Sequence, residues 1–158
     1  MERRAATLLL LGAAIAYFAD MFLPWTRAAP SFGFSPSLNG WTSLPAWWGA
    51  ALSLFLIVWQ LFRVIGVRLA PAGIEHIVSA FLGTTVAFFA GSGVAYLRFG
   101  ALGASGRVTL AYGAWTAVVL AALLIGASFL ELTAHDPELP RRLRAIRVLP
   151  SIDPGPAE

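Results

Sequence analysis

The sequence predicts an all-α integral membrane protein, a bundle of four transmembrane helices with both termini in the cytoplasm and no soluble domain. Of its 158 residues, 58% are hydrophobic and 12% are charged, and the mean hydropathy is +0.75. A soluble domain of this size carries about twice that share of charged residues. The composition therefore argues against a soluble enzyme or a nucleic-acid-binding protein, and we expect no nucleic-acid partner.

Four apolar windows are long enough to cross a bilayer, whose hydrocarbon core of about 30 Å requires roughly 20 helical residues. Continuous apolar runs without polar alternation are typical of helices rather than of barrel strands. The predicted helices cover residues 5–23, 46–65, 76–97 and 110–132. Residues 1–132 thus form a transmembrane domain with an outer loop at 24–45, and residues 133–158 form a basic, partly disordered cytoplasmic tail.

The distribution of arginines predicts the orientation, because cytoplasmic loops of membrane proteins are enriched in basic residues. With both termini inside, eight of the eleven arginines lie on the cytoplasmic side, and only Arg27, Arg98 and Arg107 lie outside. The alternative is a cleaved signal peptide, since Ala14-Ile15-Ala16 is similar to a cleavage site. Cleavage there would divide an apolar run that continues to Leu23, so we favour a membrane helix in the cytoplasmic (cell inner) membrane.

The outer loop at 24–45 contains four prolines together with glycine, asparagine and serine, a mixture typical of turns rather than of a continuous helix. Aromatic residues concentrate near this outer boundary, as expected of an interfacial belt. They are Trp25, Trp41, Trp47, Trp48, Tyr96 and Tyr112. The alternative interpretation is an aromatic-lined pocket for a lipid or quinone-like head.

Small residues at intervals of four predict close helix packing, because they allow another backbone to approach in lipid. The third predicted helix carries the longest such stripe, and the first carries a shorter one. The positions are Ser79, Gly83, Ala87, Gly91 and Ala95, with Gly12 and Ala16 in the first helix. We therefore expect the third helix to be central and the protein to have a protein partner or to form a homo-oligomer.

Asp20 is the candidate polar site, because it follows Gly12 and Ala16 at the same spacing and a carboxylate facing lipid is costly. Arg98 and Arg107 lie at a matching depth, so we expect an ion pair or a helix-end hydrogen bond. The alternative is a role for Asp20 in binding a proton, a cation or an amine-bearing ligand.

The other polar residues predict no catalytic or metal site. Glu75 and His76 are expected to cap and solvate the start of the third helix, and Gln60 and Glu131 to reach water from helix ends. His135 has too few neighbouring ligands for a metal, and no nucleophile with a base or pair of deep carboxylates is visible. We therefore expect no enzyme activity and no cofactor.

The tail contains a basic segment after two prolines. Its arginines are Arg141, Arg142, Arg144 and Arg147. Arginines beside a cytoplasmic leaflet gain about 1 kcal/mol each from anionic headgroups, so this segment is expected to lie on the membrane. A topology signal explains the same residues equally well.

The segment Phe22-Leu23-Pro24-Trp25, followed by Asn39-Gly40-Trp41 before the second helix, resembles a pattern in small four-span membrane proteins of actinobacteria and related high-GC bacteria. The resemblance covers the first two helices and their loop. It implies a four-span fold and a cell-envelope setting, and it implies no particular activity.

Two functions are compatible with these features. The first is a non-enzymatic accessory, scaffold or self-associating membrane subunit, which a sequence rich in packing surfaces favours. The second is a small transport or lipid- or cation-binding protein that uses Asp20 and the outer aromatic residues.

Overall fold

The computed structural model describes residues 3–28, 37–71, 74–99 and 108–135. These residues form four long helices: α1 (Arg3–Asp20), α2 (Leu44–Ile65), α3 (Glu75–Phe99) and α4 (Tyr112–His135). The four predicted helices are thus present, and their ends differ from the predicted bounds by at most three residues. The predicted basic tail segment lies outside the described residues.

Within the described residues, α2, α3 and α4 are long and apolar enough to cross a membrane. Helix α1 is shorter, with 18 residues, and it has charged residues at both ends, Arg3 and Arg4 at one and Asp20 at the other. The apolar stretch between these charges, residues 5–19, is about 22 Å long at 1.5 Å per residue. Length and composition therefore identify three candidate spans rather than the predicted four.

The helices pack in a ring in which α1 and α3 each contact both α2 and α4. Helices α1 and α3 are therefore diagonal to each other. Alanine dominates the interior, which allows the close backbone approach that stabilises helix packing in lipid. Alanines exposed by no more than 3% are Ala6, Ala14, Ala46, Ala50, Ala80, Ala87, Ala90, Ala114, Ala117 and Ala127.

The outward faces of the helices carry large apolar side chains. Phe81 and Phe88 on α3 are 69% and 68% exposed, and Trp115 on α4 is 62% exposed. Soluble proteins rarely present such extended apolar surfaces to water. The exterior of the helices is therefore suited to hydrocarbon.

One end of the ring, where α1 and α3 end and α2 and α4 begin, is covered by a small antiparallel sheet; we call it the sheet end. The central strand β1 (Pro24–Ala28) pairs with β2 (Ser37–Asn39) on one side and β3 (Val108–Leu110) on the other. Thr26 lies opposite both Leu38 and Leu110. The described residues are mostly helical, as predicted, but this small sheet was not predicted, because strands of three to five residues leave no readable alternation in the sequence.

Trp25 forms the core of the sheet end and is not part of an interfacial belt. It is fully buried, its Nε1 donates a hydrogen bond to the backbone oxygen of Asp20 (3.0 Å), and its own carbonyl accepts one from Ala111 (2.8 Å). A Cβ at Gly40 or Gly113 would lie within 3.0 Å of the indole ring. These two glycines therefore make room for Trp25.

Trp47 and Trp48 have the exposed position that the belt interpretation requires. They are 45% and 50% exposed, and their rings meet edge to face with centroids 5.3 Å apart. Side chains of this type favour the boundary between hydrocarbon and water.

The predicted small-residue stripe of α3 follows the helix contact only in part. Ser79, Gly83 and Ala87 are buried, but Gly91 and Ala95 are exposed. A step of four residues rotates about 40° around a helix of 3.6 residues per turn, so the stripe leaves the contact after three positions. The buried face continues instead through Ala90, Gly93 and Leu97.

The same rotation separates the predicted stripe of α1. Gly12 and Ala16 are exposed, whereas Asp20 is 3% exposed. The spacing of four had predicted that all three residues face another helix. Ala16 and Asp20 border one open cavity toward α4, whereas a Cβ at Gly12 meets no atom within 4 Å.

We predict that Gly83→Leu destabilises the protein and that Gly91→Leu does not. A Cβ at Gly83 would collide with the Ser128 side chain and lie 2.9 Å from Leu10 Cδ1, whereas one at Gly91 meets nothing within 4 Å. Overpacking of this kind costs about 1 to 3 kcal/mol. Thermal unfolding in mild detergent measures the difference, and equal melting temperatures for the two variants would contradict it.

Candidate functional site

The end of the ring opposite the sheet contains a buried polar network to which all four helices contribute; we call it the network end. Its centre is an ion pair between Arg63 of α2 and Glu131 of α4. Arg63 Nη1 donates to Glu131 Oε1 at 2.6 Å, and the two side chains are 9% and 0% exposed. Hydrogen bonds between charged partners at this distance are among the strongest in proteins.

Neutral polar groups surround the ion pair. Arg63 Nη1 also lies 2.9 Å from both Gln60 Oε1 and Ser79 Oγ, so its two hydrogens are shared among these two oxygens and that of Glu131. Thr7 Oγ1 of α1 lies 3.2 Å from the second carboxylate oxygen, Glu131 Oε2. The network therefore joins α1 and α3 to the pair formed by α2 and α4.

Ser79 is the point where α3 enters the network. Its hydroxyl accepts a hydrogen bond from Trp59 Nε1 (3.0 Å) and donates one to the backbone oxygen of Glu75 (2.8 Å). Trp59 and Arg63 are four residues apart on α2 and so reach Ser79 from the same helix face. A small hydroxyl residue at this position of the packing stripe thus has a polar role as well.

The periphery of the network holds a second carboxylate and two stacked imidazoles. Glu75 Oε2 lies 3.8 Å from Arg63 Nε. The rings of His76 and His135 stack with centroids 5.2 Å apart and planes 5° apart, and His135 Nδ1 lies 2.9 Å from the backbone oxygen of Glu131. In the part of the chain that the structure describes, no three of the acidic and histidine side chains are arranged to hold a metal ion.

The network corrects the prediction that Gln60 and Glu131 reach water, since both side chains are fully buried. The sequence contained one usable signal for it. Arg63 and Glu131 are opposite charges at matching depths in two apolar windows, and charges in such windows are paired.

Asp20 lies at the sheet end, far along α1 from the network, and is almost fully buried. Thr116 of α4 donates a hydrogen bond to Asp20 Oδ1. Asp20 Oδ2 is buried and has no hydrogen-bond partner among the described residues. The side chain lines a cavity of about 510 Å³ between α1 and α4, together with apolar residues such as Leu23 and Val119.

The predicted ion pair of Asp20 with Arg98 is not formed. Arg98 is on α3, diagonal to α1, and it lines a separate cavity of about 610 Å³ with Gly91 and Trp115. The reason is the ring order, which places α4 rather than α3 beside the end of α1. The other predicted partner, Arg107, lies outside the described residues, as do the tail arginines Arg141, Arg142, Arg144 and Arg147.

No protein-family description matches this chain, and no curated protein shows significant sequence similarity to it. The two polar sites and the packing of the helices are therefore the basis for a functional proposal.

We predict that Arg63→Met strongly destabilises the protein and that adding Glu131→Leu restores much of the loss. Removing one partner leaves an unpaired buried charge, which typically costs about 3 to 5 kcal/mol, whereas replacing both partners by apolar residues removes that penalty. A double-mutant cycle from unfolding in detergent measures the coupling between the two residues.

Arg27→Met is the matched control, because Arg27 is an exposed arginine at the sheet end. We expect it to change the unfolding free energy by less than about 0.5 kcal/mol. Additive losses from Arg63→Met and Glu131→Leu would show that the ion pair does not hold the helices together.

Proposed function

We propose that this chain is a non-enzymatic four-span protein of the cytoplasmic membrane that acts as an accessory, scaffold or self-associating subunit. The observation that carries this proposal is the buried network at Arg63 and Glu131. The two charges are directed at each other and at neutral groups of the bundle, and Arg63 also faces Glu75 of α3. Their contribution is to fix the positions of four helices relative to one another.

The packing of α1 supports four spans. Helix α1 contacts both α2 and α4, and its Thr7 reaches the carboxylate of Glu131 at one end while its Asp20 meets Thr116 at the other. Because α1 runs beside α4 between these two contacts, both helices cross the same thickness of the membrane. Its charged ends at Arg3 and Asp20 then lie near the two surfaces of the membrane.

The distribution of arginines supports cytoplasmic termini. Arg3, Arg4, Arg63 and Arg68 lie at the network end, whereas Arg27 and Arg98 lie at the sheet end. The tail arginines follow α4 in sequence, so the arginine count of the whole chain favours the same side. By the positive-inside rule, this distribution favours a cytoplasmic network end and an outward-facing sheet.

The exposed small residues support association with another helix. Gly91 and Ala95 on α3, and Gly12 and Ala16 on α1, lie on the outward surface. An added Cβ at Gly12 or Gly91 meets no atom of this chain within 4 Å. Such positions allow a helix of a second copy or of a partner protein to approach closely in lipid.

Asp20 favours a second candidate function, the binding or transport of a cation. A buried carboxylate oxygen without a partner among the described residues, next to a cavity of about 510 Å³, is suited to a proton, a metal cation or an amine. The apolar lining of that cavity and its position between only two helices argue against a continuous path within one chain.

We predict that single cysteines will report opposite sides of the membrane for the two ends. The chain has no native cysteine, so Ser37→Cys at the sheet end and Pro71→Cys beyond the network end give clean signals. A membrane-impermeant maleimide should label Ser37→Cys in intact cells and Pro71→Cys only after permeabilisation. The reverse pattern would invert the topology, and labelling of both in intact cells would contradict a four-span arrangement.

We predict that Asp20→Asn leaves abundance and assembly nearly unchanged, because an asparagine oxygen still accepts from Thr116. Thr116→Val is the matched variant, since it removes the hydrogen bond and keeps the charge. Proton and sodium fluxes in proteoliposomes test the second candidate. A flux present in the wild-type protein and in Thr116→Val but lost in Asp20→Asn would replace the scaffold proposal by a transport function.

A further inference from the structure

A cavity of about 650 Å³ opens beside the polar network, between residues of all four helices. Arg3 and Arg4 from the start of α1, and Arg63 and Arg68 from the end of α2 and beyond it, line this cavity. Its volume is within the range of pockets that bind small organic ligands. Glu75 and His135 also line the cavity, so its arginines outnumber its one carboxylate, which favours an anionic ligand.

The chain turn after α2 brings Arg68 to this cavity. Gly66 has a φ of +91°, a left-handed conformation that costs glycine little, and it ends α2 with a hydrogen bond from Val67 N to Phe62 O (2.9 Å). The chain therefore turns directly after the helix instead of continuing away from it. Arg63 and Arg68 consequently line the same space.

The positive charge of the cavity is not balanced within the described chain. Arg63 is neutralised by Glu131 and also faces Glu75. Arg3, Arg4 and Arg68 form no ion pair with any described residue. Guanidinium groups bind phosphate oxygens with two parallel hydrogen bonds, so these three arginines are suited to a phosphate group.

The wall of the cavity also contains apolar side chains that face outward. Leu8, Val64 and Val67 line it and are 54%, 51% and 43% exposed. They belong to or follow helices whose outward faces are apolar along their length. A free phosphate ion has no favourable contact with such side chains, whereas the acyl chains of a lipid do.

We propose that this cavity binds the headgroup of an anionic phospholipid, with the phosphate between Arg3, Arg4 and Arg68 and the acyl chains along Leu8 and Val64. Basic pockets between helix ends bind lipid headgroups through the same combination of charge and adjoining apolar surface. This site is separate from the tail arginines and uses residues that the folded helices hold in place. It depends on membrane insertion and not on which end faces the cytoplasm, so the cysteine labelling and the lipid test fail independently.

The test compares two variants with the same change in charge. Arg3→Gln, Arg4→Gln and Arg68→Gln are combined in one full-length protein, and Arg27→Gln, Arg98→Gln and Arg107→Gln in the other. Phosphatidylglycerol is titrated against each protein in a neutral detergent, and binding is followed by native mass spectrometry and by the melting temperature. The intact tail is present in both variants, so its contribution cancels.

We expect phosphatidylglycerol to bind and stabilise the wild-type protein and the control variant. The cavity variant should bind about a hundredfold more weakly, because each arginine near anionic lipid contributes roughly fivefold. Equal binding by the two variants, or an equal loss in both, would overturn the proposal. Equal stabilisation by phosphatidylcholine or by inorganic phosphate would overturn the assignment to an anionic lipid.

Folding of the cavity variant is checked by its melting temperature without added lipid, which should match that of the control. Arg68→Gln alone serves as a second variant, since Arg68 lies outside the helices and its loss does not disturb the bundle. It should weaken phosphatidylglycerol binding about fivefold. Unchanged lipid binding in this folded single variant would also contradict the proposal.

Discussion

The ion pair between Arg63 and Glu131 sets the arrangement of the four helices. Both charges are buried in a bundle whose outward faces are apolar, and an unpaired charge in such a place costs several kcal/mol. The pair is satisfied only when α2 and α4 have the rotation and depth that bring 2.6 Å between the two groups. Thr7 and Ser79 then add the hydrogen bonds that bring α1 and α3 to the same point.

Different interactions hold the helices together at the two ends of the bundle and in its middle. At the network end the helices are joined by the ion pair and by hydrogen bonds from hydroxyl groups. At the sheet end the indole of Trp25 fills the space beside Gly40 and Gly113, and strand β1, which follows α1, pairs with β3, which precedes α4. Between the two ends the helices pack through alanines together with larger apolar side chains such as Leu10, Leu56 and Leu124. The rotation of each helix is therefore determined by its polar or aromatic ends together with side-chain packing such as Leu10 against Gly83.

The helices and the polar position of Asp20 were predictable from the sequence, whereas the buried network and the burial of Trp25 were not, for one physical reason. An apolar window long enough for a membrane is a local property, so α2, α3 and α4 follow from composition and length. The network depends on which face each helix turns inward, and a spacing of four does not preserve a face over five positions, as Gly91 and Ala95 show. The burial of Trp25 depends on pairing between strands that are about 80 residues apart in sequence.

The two buried carboxylates differ in how far the protein satisfies them, and this difference supports the scaffold proposal over transport. Glu131 is satisfied on both oxygens within the protein, so its charge is used for structure. Asp20 has one oxygen satisfied by Thr116 and one without a partner among the described residues. Asp20 lies at the last residue of α1, one turn from the polar backbone of the sheet end, where the cost of a carboxylate is lower than in the centre of a membrane. The fold therefore tolerates Asp20 without a bound cation, and a scaffold role requires no ligand to explain it.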